Sequence, residues 1–519
     1  MRPASALIGA ILAAVLAVPG AAVAHDGRGP VAPAGKSPTA PTGKSPVART
    51  DKGLVQGVRA GGVDSFLGIR YATPPVGGLR WRAPLPAAAW PGVAPATAYG
   101  ARCAAAASAN GPRTETEDCL FVNVQRPAAM RPGERRGVYV FIHGGGLVNG
   151  SSNQADLAAI VRATGVIGVS FNYRLGVLGF LGLAGLTAES GESGNYGFQD
   201  QQAALGWVRR NIAAFGGDPA RITVGGESAG GWSVCGHLVA PGSRGLLAGA
   251  MIQSGSCLTR TQPAAESAGA GVATAVGCAN VACLRATTVA RLIDAPSGGF
   301  ALVRGTPTLP VEPAAAVAAG GFARVPVVIG ANLDEGRTFA QGFISATREQ
   351  YEAWVQANGG AEVLARYPWP ASPDRFTAAY LIGAIMTDSG LLAGIGGCAN
   401  RALTHDFARW TTTYAYELAH RTGPGLTPIP GYVWGAGHAA ELAYLFPSFD
   451  NGTPIAPTFD RDERRLAAEM KRAWGAFVRT GSPGWPPRGV QSLRAGGESR
   501  PISDAALAAE HRCAFWDAR

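Results

Sequence analysis

Apolar residues recur along this chain in short, dense runs rather than in strict alternation with polar ones. The runs VYVFIH at 138–143, VIGVSFNY at 166–173, ITVGG at 222–226, GAMIQSG at 249–255, VPVVIGAN at 325–332 and TTTYAYEL at 411–418 are rich in β-branched and aromatic residues and short for helices. That pattern predicts strands covered on both faces. Between them lie stretches with helical apolar spacing, of which FQDQQAALGWVRRNIAAFG ends on a glycine suited to cap a helix. Strands alternating with helices predict an α/β architecture, a central and mostly parallel β-sheet flanked by helices on both faces. Ligands of such a sheet bind beyond the carboxyl ends of its strands, so the loops after these runs are where chemistry is expected.

Three of those loops carry something. After ITV comes Gly226-Glu227-Ser228-Ala229-Gly230, a GxSxG pattern. In a chain with 73 glycines the pentapeptide would arise by chance about once, so its weight comes from context. A strand that runs through a serine straight into a helix must turn sharply there, and small neighbours are needed so that nothing collides. The turn exposes the hydroxyl at a helix N-terminus, where free amides favour developing negative charge. The competing reading, a purely structural turn, leaves the other two loops unexplained.

After VYVFI comes His143-Gly144-Gly145-Gly146, whose backbone can approach a substrate closely. The amides of Gly145, Gly146 and Ala229 are the natural donors to an oxyanion. His143 precedes the serine and reads as structural. A serine nucleophile needs a histidine to take its proton and an acid to orient that histidine, here in the chain order serine, acid, histidine. Asp334 and Glu335 both follow VPVVIGAN, and spacing does not separate them. For the base, His420 directly follows TTTYAYEL and His438 sits in the glycine-rich VWGAGHAAEL; the residues alone leave both open.

With these residues in hand, the chain resembles the type-B carboxylesterase family, the α/β hydrolases that include bacterial carboxylesterases, fungal lipases and the cholinesterases. The likeness runs from about Asp51 to the C-terminus through FLGIRYATPPVGGLRWRAP, EDCLFVNVQRP, FIHGGG, SFNYRLGVLGFL, GNYGFQDQQAALGWVRRNIAAFGGDP, ITVGGESAGG, QSGS, DEG, GAGHAAEL and CAFWD. It implies Ser228 as nucleophile, Glu335 as acid and His438 as base, with the oxyanion held by Gly145, Gly146 and Ala229. It places Glu227 beside the histidine, where it influences its charge, and Ser254 behind the reacting groups. It also implies ion pairs of Arg80 with Glu117 and Arg174 with Asp200, and disulfides Cys103–Cys119, Cys278–Cys283 and Cys398–Cys513. For Cys235 and Cys257 it implies no pairing. The loop CAAAASANGPRTETEDC lacks the tryptophan that cholinesterases use for choline, so the cation–π site is missing and a cholinesterase is not expected. Leu147 and Phe339 are expected to wall an apolar pocket.

Composition completes the picture. MRPASALIGAILAAVLAVPGAAVA reads as a signal peptide ending at Ala24, residues 25–50 as a flexible Pro/Gly/Lys-rich linker and 51–519 as one hydrolase domain, so the mature protein is expected to be secreted. Eight cysteines in an exported chain suggest disulfides rather than metal. The net charge of +10 is spread along the chain, which excludes any recognisable nucleic-acid module. The expected protein is thus a secreted serine esterase acting on a small-molecule or lipid-like ester. It needs no cofactor and no metal, does not insert stably into membranes, and is expected as a monomer, with a dimer as the alternative. The rival readings are a lipase or polyester hydrolase with the same triad, and a non-catalytic binding homologue on the same fold.

Overall fold

The computed structural model describes residues 45–426, 429–449 and 454–519. The expected signal peptide and most of the expected linker lie outside these residues. The end of that linker needs correcting, because Val47–Arg49 is already a strand, paired antiparallel with Leu54–Gln56. Within PVAR the alternation of exposed Val47 and Arg49 with buried Ala48 is that of a half-covered strand, and the composition-based boundary at Asp51 passed over it.

Among the described residues the main sheet has eleven strands. Its parallel body runs through Val490–Leu493, Thr413–Leu418, Val327–Asn332, Gly249–Gln253, Gly217–Glu227, Arg136–Ile142 and Ile167–Phe171 in spatial order. Every residue of Ile167–Phe171, Gly249–Gln253, Val327–Asn332 and Thr413–Leu418 is buried, which is why these segments read as continuous apolar runs. Beyond Ile167–Phe171 the sheet turns antiparallel through Phe121–Pro127, Val63–Arg70 and Val58–Ala60, and Arg500–Ile502 closes the opposite edge antiparallel.

Helices connect the parallel strands. Tyr196–Asn211 tightens into a 3₁₀ turn at Ile212–Phe215 and stops at Gly216, whose φ of 83° supplies the expected glycine cap. Helix Arg461–Thr480 starts on a capping box, with Asp460 accepting from the Glu463 amide and Glu463 from the Asp460 amide. It lays Leu466, Met470, Trp474 and Phe477, spaced at three and four residues, onto the sheet.

Buried ion pairs and disulfides lock the connections. Arg174 forks onto Asp200 at 2.7 Å through both Nε and Nη2, and Arg80 onto Glu117 at 2.8 and 2.6 Å. All eight cysteines are bonded: Cys103–Cys119, Cys278–Cys283 and Cys398–Cys513 as the resemblance implied, and also Cys235–Cys257. The last bond joins the helix after the serine turn to the segment following Gly249–Gln253. Among the described residues no helix is long and apolar enough to cross a membrane, and no cluster of His, Cys, Asp and Glu could hold a metal ion.

Candidate active site

Strand Gly217–Glu227 passes through Ser228 directly into helix Ala229–Val239. Ser228 has φ 56° and ψ −124°, a conformation that L-residues rarely adopt. Here the strain coincides with the one hydroxyl that the turn lifts above the sheet. The glycines of GxSxG are sterically required: a Cβ on Gly226 would lie 2.4 Å from the Gly230 carbonyl, and one on Gly230 would lie 2.1 Å from the Ile142 oxygen. The glycine loop after Arg136–Ile142 packs as closely. A Cβ on Gly144 would stand 3.0 Å from the Ser228 Cβ, and one on Gly145 would strike Asn149. Among the described residues no acceptor takes the amides of Gly145 and Gly146, and the Ala229 amide is the first of its helix, which the helix itself leaves free.

On the far side, Val327–Asn332 delivers the acids. Glu335 Oε2 lies 2.6 Å from His438 Nδ1, while its Oε1 accepts from the Asn332 amide at 2.7 Å. Both residues are buried. The neighbouring Asp334 points elsewhere, pairing with Arg337 and Arg421 and accepting from the Ala436 amide. His420 sits 3.3 Å from Glu463 and does not reach the serine's cavity. His143 donates from Nδ1 to the Gly144 carbonyl and stacks on Tyr173 at 4.4 Å; burial lowers its pKa to about 4. A neutral imidazole so placed braces the glycine loop.

Further carboxyl and amide groups lie around His438. Glu227 Oε1 lies 3.2 Å from His438 Nε2. Glu441, three residues beyond His438, accepts from Asn332 Nδ2 at 2.6 Å, and Gln253 bridges it at 3.5 Å to Trp474 Nε1 at 3.0 Å. Burial opposes a charge on His438, but Glu227 and Glu335 outweigh it and carry the imidazole up to about 9. Burial also raises Glu227 to about 8, with Glu441 and Glu335 adding to the rise while His438 opposes it. These two shifts are one coupled titration, since a neutral Glu227 withdraws part of the support for His438. The direction for both is upward. Glu441, raised to about 7 by burial and then by Glu335, was not singled out from sequence, although its i+3 spacing from His438 in GHAAEL puts both on one turn.

Ser228, His438, Glu227 and the three loop glycines share one cavity of about 690 Å³. Phe339 lines it and tilts against His438, ring centroids 4.9 Å apart. Leu147 does not: with φ 62° it turns fully into the core behind the glycines, and Trp232, Leu391 and Phe446 supply the apolar wall instead. Ser254, at the end of Gly249–Gln253, is fully buried beneath the turn, its amide on the Gly330 carbonyl at 2.8 Å.

A model of the carboxylesterase family matches residues 44–493. The chain belongs to this family. Among its relatives, a cocaine esterase of Oryctolagus cuniculus is 32% identical over 503 residues, covering 89% of this chain and 92% of that protein. A para-nitrobenzyl esterase of Bacillus subtilis is 31% identical, covering 84% and 91%. A fumonisin B1 esterase of Sphingopyxis macrogoltabida is 32% identical, covering 83% and 81%. The solved structure of a thermophilic PNB esterase superposes with a TM-score of 0.75 at 28% identity, covering 90% of this chain and all of that one. This carboxylesterase therefore has the α/β-hydrolase fold and is a serine hydrolase of carboxylic esters.

Proposed function

We propose that Ser228, His438 and Glu335 form the triad of this carboxylesterase and that it works as a secreted esterase on uncharged esters. The observation that carries the triad is the 2.6 Å bond between His438 and Glu335, in a cavity whose lining includes His438 and the strained Ser228. Glu335 fixes the imidazole tautomer with Nδ1 protonated, leaving Nε2 to accept the Ser228 proton as Oγ attacks the ester carbonyl. The carbonyl oxygen, now negative, takes hydrogen bonds from the amides of Gly145, Gly146 and Ala229. Collapse expels the alcohol with the proton from His438, and water repeats the sequence on the acyl-serine. Glu227 and Glu335 stabilise the imidazolium that forms in each half.

Secretion is supported by four disulfides in the described chain and by the signal-like leader read from the sequence. Recovery of the mature chain from culture medium with its N-terminus near His25 is the expected result, and retention of the intact leader in the cytoplasm would refute it.

For the triad, Ser228→Ala is expected to abolish turnover of a short p-nitrophenyl ester and labelling by a serine-directed phosphonate while the protein stays folded. Survival of most of the activity would remove Ser228 from its role. His438→Ala must be far more damaging than His420→Ala, and the reverse ranking would overturn the choice of base. The cavity's size also admits a lipase or polyester hydrolase, and a series of p-nitrophenyl esters from acetate to palmitate beside a polyester film distinguishes them.

A further inference from the structure

The triad leaves one part of the cavity wall unused. Three side-chain carboxamides, Asn110, Asn149 and Gln154, line the cavity beside the glycine loop. They form a chain: Asn110 Nδ2 donates to Asn149 Oδ1 at 2.7 Å, and Gln154 Nε2 donates to Asn110 Oδ1 at 3.2 Å. Among the described residues nothing takes up Asn149 Nδ2 at one end or Gln154 Oε1 at the other. The chain thus ends in one donor and one acceptor. Reversing all three amides exchanges the two ends but keeps one donor and one acceptor.

The chain is held in place. Asn110 sits at the tip of a tight turn in which Ser108 and Gly111 exchange backbone bonds at 3.0 Å, and its carbonyl accepts from Arg102 at 2.6 Å. Cys103–Cys119 closes the loop that carries it. Gln154 is fastened by Ser448, whose hydroxyl donates to its backbone carbonyl at 2.9 Å. Asn149 is tied to the oxyanion loop through its backbone N–H, which donates to the Gly145 carbonyl at 3.1 Å. A polar group bound here would therefore lie within reach of an ester carbonyl held by Gly145 and Gly146.

Charge narrows the ligand. Among the described lining residues none is Lys or Arg, and Glu227 stands in the same wall. A carboxylate on the substrate would meet no cation in this lining, the nearby Arg102 guanidinium being turned to the Asn110 backbone carbonyl. Elsewhere the wall is mostly apolar, with Trp232, Leu391, Leu392 and Ile395, and Thr338 and Gln341 are polar exceptions in it.

We infer that Asn110, Asn149 and Gln154 form a recognition site for a neutral donor–acceptor group, an amide or a hydroxyl, on one arm of the ester, the other arm being hydrocarbon. This rests on the reading of Ser228 as nucleophile and adds the class of ester that the same cavity prefers.

The test compares two pairs of isosteres. On the acyl side these are p-nitrophenyl 4-acetamidobutanoate and p-nitrophenyl 6-methylheptanoate. On the alcohol side they are the butanoates of N-(3-hydroxypropyl)acetamide and 5-methylhexan-1-ol. The readout is the ratio of kcat/KM within each pair, amide over hydrocarbon, in the wild type and in Asn110→Leu/Gln154→Leu. One or two hydrogen bonds of ordinary strength set the expected fall in that ratio at roughly tenfold in at least one pair. A change below about threefold in both pairs overturns the proposal. Asn110→Leu alone, on an exposed turn, gives the same sign and serves should the double variant not fold. If Ser228→Ala hydrolyses the four esters as fast as wild type, the nucleophile reading fails and takes this one with it. Hydrolysis that depends on Ser228 but shows unmoved ratios defeats the recognition site alone.

Discussion

Replacing Glu227 by Gln removes a carboxylate that lies 3.2 Å from His438 Nε2 and leaves the volume unchanged. At that distance Coulomb's law gives about 1.3 kcal/mol in a water-like medium and about 5 kcal/mol at an effective dielectric constant of 20. Those figures correspond to roughly one and roughly four pKa units on the imidazole. Glu227 is itself held up by burial, to about 8, so its charge develops over the same pH range as the His438 limb and the lower figure is the one expected. As the proposed base, His438 works in its neutral form and is held above the free imidazole value, so kcat/KM of the wild type should rise with pH on an alkaline-shifted limb. Removing the negative neighbour lowers that pKa, and the limb moves to lower pH by about one unit. The same lost attraction no longer stabilises the imidazolium in the transition state, so the plateau falls roughly tenfold. The assay is kcat/KM for p-nitrophenyl butanoate from pH 5 to 10, corrected for spontaneous hydrolysis, with circular dichroism to show that the fold is kept. A limb that stays in place or moves to higher pH would refute the electrostatic role given to Glu227.

Other perturbations probe the frame around the site. Gly230→Ala puts a methyl 2.1 Å from the Ile142 carbonyl, so phosphonate labelling of Ser228 should slow by at least an order of magnitude through displacement of the turn; unchanged labelling would show that the turn relaxes freely. Arg174→Met strands the buried Asp200 and should cost about 3–5 kcal/mol in urea unfolding, whereas the double variant with Asp200→Leu should recover much of it. His511 lies between Asp388 and Glu417 at 2.9 and 2.8 Å; burial opposes its charge, yet the two carboxylates carry it up to about 10. Its folded pKa exceeds its unfolded value, so its stabilisation is complete below about pH 6.5 and is lost as pH rises towards 10. His511→Gln should flatten the fall in melting temperature over that interval, and an unchanged slope would exclude His511 as its source. Cys398–Cys513 spans 115 residues, and its replacement by two serines should destabilise the protein by about 4–5 kcal/mol on loop entropy, read from chemical denaturation under non-reducing conditions.

Much of the fold was legible because burial on both faces leaves a one-dimensional trace. The six apolar runs all became strands of the parallel body. The strands Val63–Arg70 and Phe121–Pro127 were not singled out, because an antiparallel flank mixes polar residues such as Asp64, Asn123 and Gln125 into its strands and satisfies them by tertiary bonds. Leu147 shows the limit of reading a pocket from neighbours in sequence: one residue past the glycines, its positive φ turned it into the core.

By itself the sequence determined the local geometry of this protein's chemistry. A strand, a strained serine between glycines and a helix are consecutive residues, and so is the glycine loop; only small side chains clear the backbone atoms that crowd them, and the residue types record that. Which acid pairs with the histidine of the serine's cavity was decided by tertiary structure. Asp334 and Glu335 are adjacent, yet the backbone sends one to Arg337 and Arg421 and the other to His438, 103 residues away. The Cys235–Cys257 bond, the Glu441 network and the carboxamide chain of Asn110, Asn149 and Gln154 belong to the same class. Each joins groups that no local periodicity relates, brought together only because the sheet aligns the ends of its strands on one side.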